Sequence, residues 1–307
     1  MNYLNPFNSE LALEHSSYSA FRQGYLVNLI EPQKTASELA EFVHGQFYAL
    51  TMDARFSCVA ARAAFKQKTY RFGMYPEINS AAATAGLCRD LFAFVQEQPE
   101  MSSNFTTFVA SFAGPNPIDE KHFEKLLWQQ LQGLHELDTA TWDAEVSSDP
   151  ESGQFSFSFA GRSFFIVGLH AGSSRWVRRF AWPTLVFNTH EQFERLRKIG
   201  KYAHLQKVIR SAERNLQGSI NPSLSDFSEM SEAAQYSGRV VEESWKCPFT
   251  AREKSGSSRV TQLVVHEDSV ELEIVNPATS VIEDVKVVDL SDELDEEIEV
   301  LEVQGER

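Results

Sequence analysis

"QFSFSFAGRSFFIVGLH", residues 154–170, decides the fold class. Phe155, Phe157 and Phe159 alternate with polar residues, Ala160-Gly161-Arg162 supplies a turn, and Phe164 to Leu169 returns. That is the pattern of a β-hairpin with one face in a core. Working outward, "PTLVFN" (183–188), "TYRFGMY" (69–75) and "NFTTFVASFAG" (104–114) also read as strands, the last ending at Gly-Pro. Between them the period lengthens. "TASELAEFVHGQFYAL" (35–50) is an amphipathic helix with Leu39, Phe42, Val43, Phe47 and Leu50 at helical spacing and a Thr35/Glu38 capping box. Cys58 to Lys68 forms an Ala-rich helix, 79–98 another opened by Asn79 or Ser80, and 119–137 a third. In that third helix Phe123, Leu126, Leu127, Leu131 and Leu134 make one apolar stripe. Residues 191–218 read as one long charged helix with a weak break at Gly200. Helices around a Phe-rich, mostly antiparallel sheet make an α+β fold.

The chain has 307 residues and 23 phenylalanines. So much Phe fills a thick aromatic core or walls an apolar pocket for a flat ligand. The net charge is −15, and residues 260–307 hold 15 acidic and two basic residues. The body is therefore almost neutral, which argues against nucleic acid as a partner. One domain is expected over residues 1–252. Residues 253–307 read as a linker ("KSGSS") and an acidic tail, with "RVTQLVVHEDSVELEIVN" as a small hairpin ahead of a mobile end. No apolar run is long enough for a membrane span, and the N-terminus lacks a signal-peptide pattern. Three scattered cysteines make neither a disulfide framework nor a metal spacing, so the expected setting is cytoplasmic.

Three places could carry chemistry. Cys58 opens a helix, where the dipole and unsatisfied N–H groups favour a thiolate, and Arg55 and Arg62 flank it. A cysteine there also suits plain core packing. "GLHAGSSRWVRRF" (168–180) gathers His170, Ser173, Ser174, Arg175, Arg178 and Arg179. Three arginines suit a carboxylate clamp, and a strand-end histidine suits an axial ligand or proton donor. The same span also reads as a solvated basic loop. Asn188 and His190 lie between a strand and a helix, where capping is the simpler role. No Gly-rich phosphate loop, zinc pair or flavin or nicotinamide fingerprint occurs.

"FSCVAARAAF", "YRFGMY", "FVASF", "FEKLLWQQLQGLHELD", the hairpin block running to "RWVRRF", "PTLVFNTHEQFERLR" and "WKCPF" follow one another in an order that resembles the YqcI/YcgG family, across roughly residues 20–250. The family typically has Phe-Pro-Cys where this chain has Phe56-Ser57-Cys58. The resemblance implies a haem-dependent monooxygenase that N-hydroxylates a guanidine or amine nitrogen of an arginine-like molecule. It implies haem b, dioxygen and an external reductase, and leaves room for a homodimer. It makes Cys58 the iron ligand, with His170 the runner-up and Cys247 a further thiol able to reach iron. Arg62, Arg175, Arg178 and Arg179 become cofactor contacts, and His170 and Arg175 candidate catalytic groups. Glu77, Asp119 and Asp138 are candidates for holding the substrate's cation. The rival expectations are a haem carrier or gas sensor without turnover, and an interaction protein whose acidic tail recruits a basic partner.

Overall fold

Seven strands pair in the order β2-β1-β3-β4-β7-β6-β5 in the computed structural model, which describes residues 4–101, 105–220, 231–252, 261–266 and 269–274. They are β1 (Ser19–Arg22), β2 (Tyr25–Asn28), β3 (Tyr70–Tyr75), β4 (Thr107–Phe112), β5 (Phe157–Phe159), β6 (Arg162–Leu169) and β7 (Thr184–Thr189). Only β3 and β4 run parallel; every other pairing is antiparallel. The helices are α1 (Glu10–His15), α2 (Glu38–Met52), α3 (Val59–Gln67), α4 (Ala81–Glu97), α5 (Glu120–Leu137), α6 (His190–Lys198), α7 (Tyr202–Gln217) and α8 (Ala233–Tyr236). The protein is thus an α+β fold.

The hairpin at 154–170 forms with Phe159 opposite Arg162. Ala160 and Gly161 both take positive φ, as a tight two-residue turn requires. Residue parity then divides the sheet into two unlike faces. Phe108, Ala110 and Phe112 of β4, Phe164 and Ile166 of β6, and Leu185 and Phe187 of β7 enter one core with α4 and α5. Val109, Leu169 and Val186 point the other way and meet Val43 and Phe47 of α2 and Phe65 of α3. A third cluster joins Val59, Ala63 and Ala64 of α3 to Leu196 of α6 and Leu205 and Val208 of α7.

Local chemistry moves several expected boundaries. Ser37, not Thr35, caps α2 by accepting the Ala40 N–H at 3.1 Å, so no Thr35/Glu38 box forms. Leu39 and Phe42 of the expected stripe stay exposed, while Val43 and Phe47 are buried. The expected helix over 191–218 is two helices, because Gly200 takes φ +74° and turns the chain. The β1–β2 hairpin was not anticipated: its turn is Gln23-Gly24, and strands of four residues show little alternation. In the C-terminal stretch β8 (Thr261–His266) pairs antiparallel with β9 (Ser269–Ile274), as expected of a small hairpin. The expected linker at 253–260 and the expected mobile end beyond residue 274 lie outside the described residues. No helix among the described residues is long and apolar enough to cross a membrane.

Candidate functional site

The second sheet face does not close completely. Between β4, β6, β7, α3, α6 and α7 lies a mostly apolar cavity of about 250 Å3. Its floor is the parity-selected set Thr107, Val109, Val167, Leu169, Val186 and Asn188. Ala60, Ala61 and Ala64 give α3 a small-residue wall, which keeps the helix from filling the space.

Cys58 stands at this wall as the N-cap residue of α3. Backbone hydrogen bonds from Ala60 and Ala61 and the charge of Arg178 favour its thiolate. Burial is the larger effect and, with the Glu213 carboxylate, pushes the thiol above its ordinary range. The helix start alone therefore does not make the free thiol acidic. The other two cysteines lie elsewhere: Cys88 is buried in the α4–α5 core, and Cys247 packs against the same core with its thiol pushed up to about 12 by burial. Of the three, only Cys58 lines the cavity.

Arg178 also lines it. Its Nη1 donates to the Gly168 carbonyl at 3.1 Å and to the Tyr236 carbonyl at 3.2 Å, and Nη2 donates to the Gln235 carbonyl at 3.4 Å. Three backbone acceptors thus fix a cation in place without neutralising it. Burial brings its pKa down to about 10, against the opposing pull of Glu213 and Cys58. Gly238, at φ +83°, lies directly on the side chain, and a Cβ there would come within 3.3 Å of the arginine Cγ.

Asn188 and His190 line the cavity as well, whereas His170, Arg62, Arg175 and Arg179 do not reach it. His170 is fully buried but stacks on Phe123 at 4.4 Å, on the α5 side of the sheet. Parity explains this correction: Leu169 takes the cavity face, so its neighbour turns away. Arg62 is buried and sends Nη1 toward the Ala54 carbonyl at 3.4 Å. Arg175 donates to the carbonyl and hydroxyl of Ser219 at 3.0 and 3.1 Å. Arg179 donates to the Ser173 carbonyl and covers the Trp176 ring at 4.5 Å. None of these four lines the cavity. The carboxylates proposed for a cation are also elsewhere. Glu77 is exposed, Asp119 caps α5 by accepting the His122 N–H, and Asp138 accepts the Ala140 and Ala160 N–H groups.

Four charged residues of the cavity were missed: Arg197, Arg210, Glu213 and Glu232. Burial pushes Glu232 up to about 7 although it accepts the Tyr236 hydroxyl at 2.7 Å. Burial also raises Glu213, opposed by Arg178, Arg175 and Arg210. His190 lines the cavity and lies 3.3 Å from Glu194, while burial lowers its pKa.

Among the described residues no group of three or more His, Cys, Asp or Glu side chains could hold a metal. A porphyrin brings its own equatorial ligands and needs one axial donor, an apolar bed and cations for its propionates. Cys58, the apolar sheet floor, and Arg197 and Arg210 are the residues of those kinds in the lining.

The YqcI/YcgG family matches residues 47–250, which include both Cys58 and Arg178. The chain is 27% identical over 210 residues to the "Uncharacterized protein YcgG" of Bacillus subtilis (strain 168), covering 64% of this chain and 81% of that one. It is 25% identical over 162 residues to the "Uncharacterized protein YqcI" of the same organism, covering 51% of this chain and 63% of that one. No solved structure matches. The chain belongs to the YqcI/YcgG family.

Proposed function

We propose that this member of the YqcI/YcgG family holds haem b in the cavity, with Cys58 as the iron ligand, and N-hydroxylates a guanidine or amine nitrogen of an arginine-like small molecule. One oxygen atom of dioxygen enters the N–H bond and the other leaves as water, with two electrons from a separate reductase and two protons from solvent. The observation that carries this reading is that the cysteine at a helix start is also the one cysteine in the cavity. When bound, a thiolate-ligated haem supplies dioxygen activation, because the thiolate donates electron density that favours O–O cleavage.

The chain's own residues prepare the site. Coordination would replace the thiol proton that burial now retains. The N–H groups of Ala60 and Ala61 and the clamped Arg178 would hold the resulting negative charge. Arg197 and Arg210 suit the propionates, since guanidinium pairs bidentately with carboxylates. Val109, Val167, Leu169 and Val186 make a dry floor that excludes water from the reacting nitrogen. The free cysteines suit a reducing, cytoplasmic setting.

The test is turnover by the haem-loaded full chain with L-arginine, isotopically labelled dioxygen and a reductase. The reading predicts a product that has gained one labelled oxygen on nitrogen and that disappears in Cys58→Ala. Equal product from Cys58→Ala, or none from haem-loaded wild type across guanidine and amine substrates, would contradict it.

A further inference from the structure

The cavity holds two carboxylates in different states of engagement. Glu232 accepts the Tyr236 hydroxyl at 2.7 Å. Glu213, on α7, presents an Oε2 that is buried and has no hydrogen-bond partner among the described residues. Three arginines are near enough to bias its charge: Arg178, Arg175 and Arg210. Two of them are turned elsewhere. Arg178 donates to the carbonyls of Gly168, Tyr236 and Gln235, and Arg175 donates to Ser219. Their charges favour an ionised Glu213 against its burial, while the described bonds of these two guanidiniums go to other acceptors.

A buried acceptor without a donor is unfavourable until a ligand brings one. A guanidinium is all donor and no acceptor, and its planar fork matches a carboxylate. We infer that Glu213 receives the nitrogen-bearing end of the substrate and determines specificity for a cationic nitrogen. This rests on the reading of the cavity as the substrate site. It makes Glu213 a substrate-binding residue that no feature of the chain's charge pattern singles out, since it lies within a helix carrying Lys207, Arg210 and Arg214.

The test is calorimetric titration of the full chain, haem-loaded and haem-free, with L-arginine and with L-citrulline, its uncharged counterpart. Wild type should prefer L-arginine by about tenfold or more, and Glu213→Gln should abolish that preference chiefly by weakening L-arginine. Glu232→Gln should keep the preference. A preference that survives in Glu213→Gln, or is absent in wild type, overturns the inference, as does wild type that binds neither compound. Should Glu213→Gln fail to unfold cooperatively, Glu213→Asp decides instead. It retains the charge and should keep the preference at reduced affinity, and losing the preference counts against the inference. Haem uptake is read separately from absorbance. Glu213-dependent binding without haem uptake would remove the oxygenase reading alone; haem uptake without a preference would remove this inference alone.

Discussion

Glu232 is buried, and burial lifts its carboxyl from 4.5 to about 7 despite hydrogen bonds from Tyr236 and Ser156. A carboxyl raised in the folded state binds its proton more tightly there than in the unfolded chain. Its contribution to stability is therefore greatest below about pH 4.5, falls as pH rises to about 7, and is flat beyond. Glu232→Gln should remove that slope, so its melting temperature gains on wild type between these two pH values. Parallel melting curves for the two proteins across that window would contradict the assignment. At the same scale, Cys58 and Arg178 could be read from the sequence because each lies in a local pattern, a helix start and a dense arginine turn. His170 could not be placed that way. Whether a strand-end side chain faces the cavity depends on register, and register is set by β7, to which Leu169 pairs opposite Thr184.

Gly200 separates two helices that a continuous charged pattern presents as one. Its φ of +74° lies in the left-handed region, and a Cβ there would meet nothing within 4 Å. Gly200→Ala therefore isolates backbone strain from packing and should cost about 1 kcal/mol in chemical denaturation. A neutral substitution would mean the α6–α7 junction adapts. This junction governs the site, because α6 contributes Arg197 and α7 contributes Arg210 and Glu213. Those residues escaped the sequence reading for a physical reason. On α7 the buried stripe is only Leu205 and Val208, and the polar residues beside it resemble a solvated face. Three-residue spacing from Leu205 through Val208 does place Gln206, Ile209, Arg210 and Glu213 along the stripe's flank, which is where a cavity border would be found. By contrast, α5 was legible in full: all five apolar stripe residues are buried and Asp119 caps the helix through the His122 N–H. Strong local periodicity carried that element, and no tertiary contact had to override it.

At the scale of the whole molecule, one sheet separates two tasks. Its α4–α5 face is closed by Phe-rich packing, and a Cβ on Gly168 would come within 2.7 Å of Phe123 and 2.8 Å of Leu127. Its other face is left partly open by the alanines of α3, and the open space is bordered by Cys58, Arg178 and Glu213. We propose that this space holds haem with Cys58 on the iron. The most direct measurement is the absorption spectrum of ferrous, carbon-monoxide-bound protein produced with ample haem, with wild type beside Cys58→Ala. Thiolate ligation by Cys58 should give a strongly red-shifted Soret band in wild type that is lost in Cys58→Ala. A haem spectrum unchanged by the substitution, or no haem in either protein after reconstitution, would contradict it.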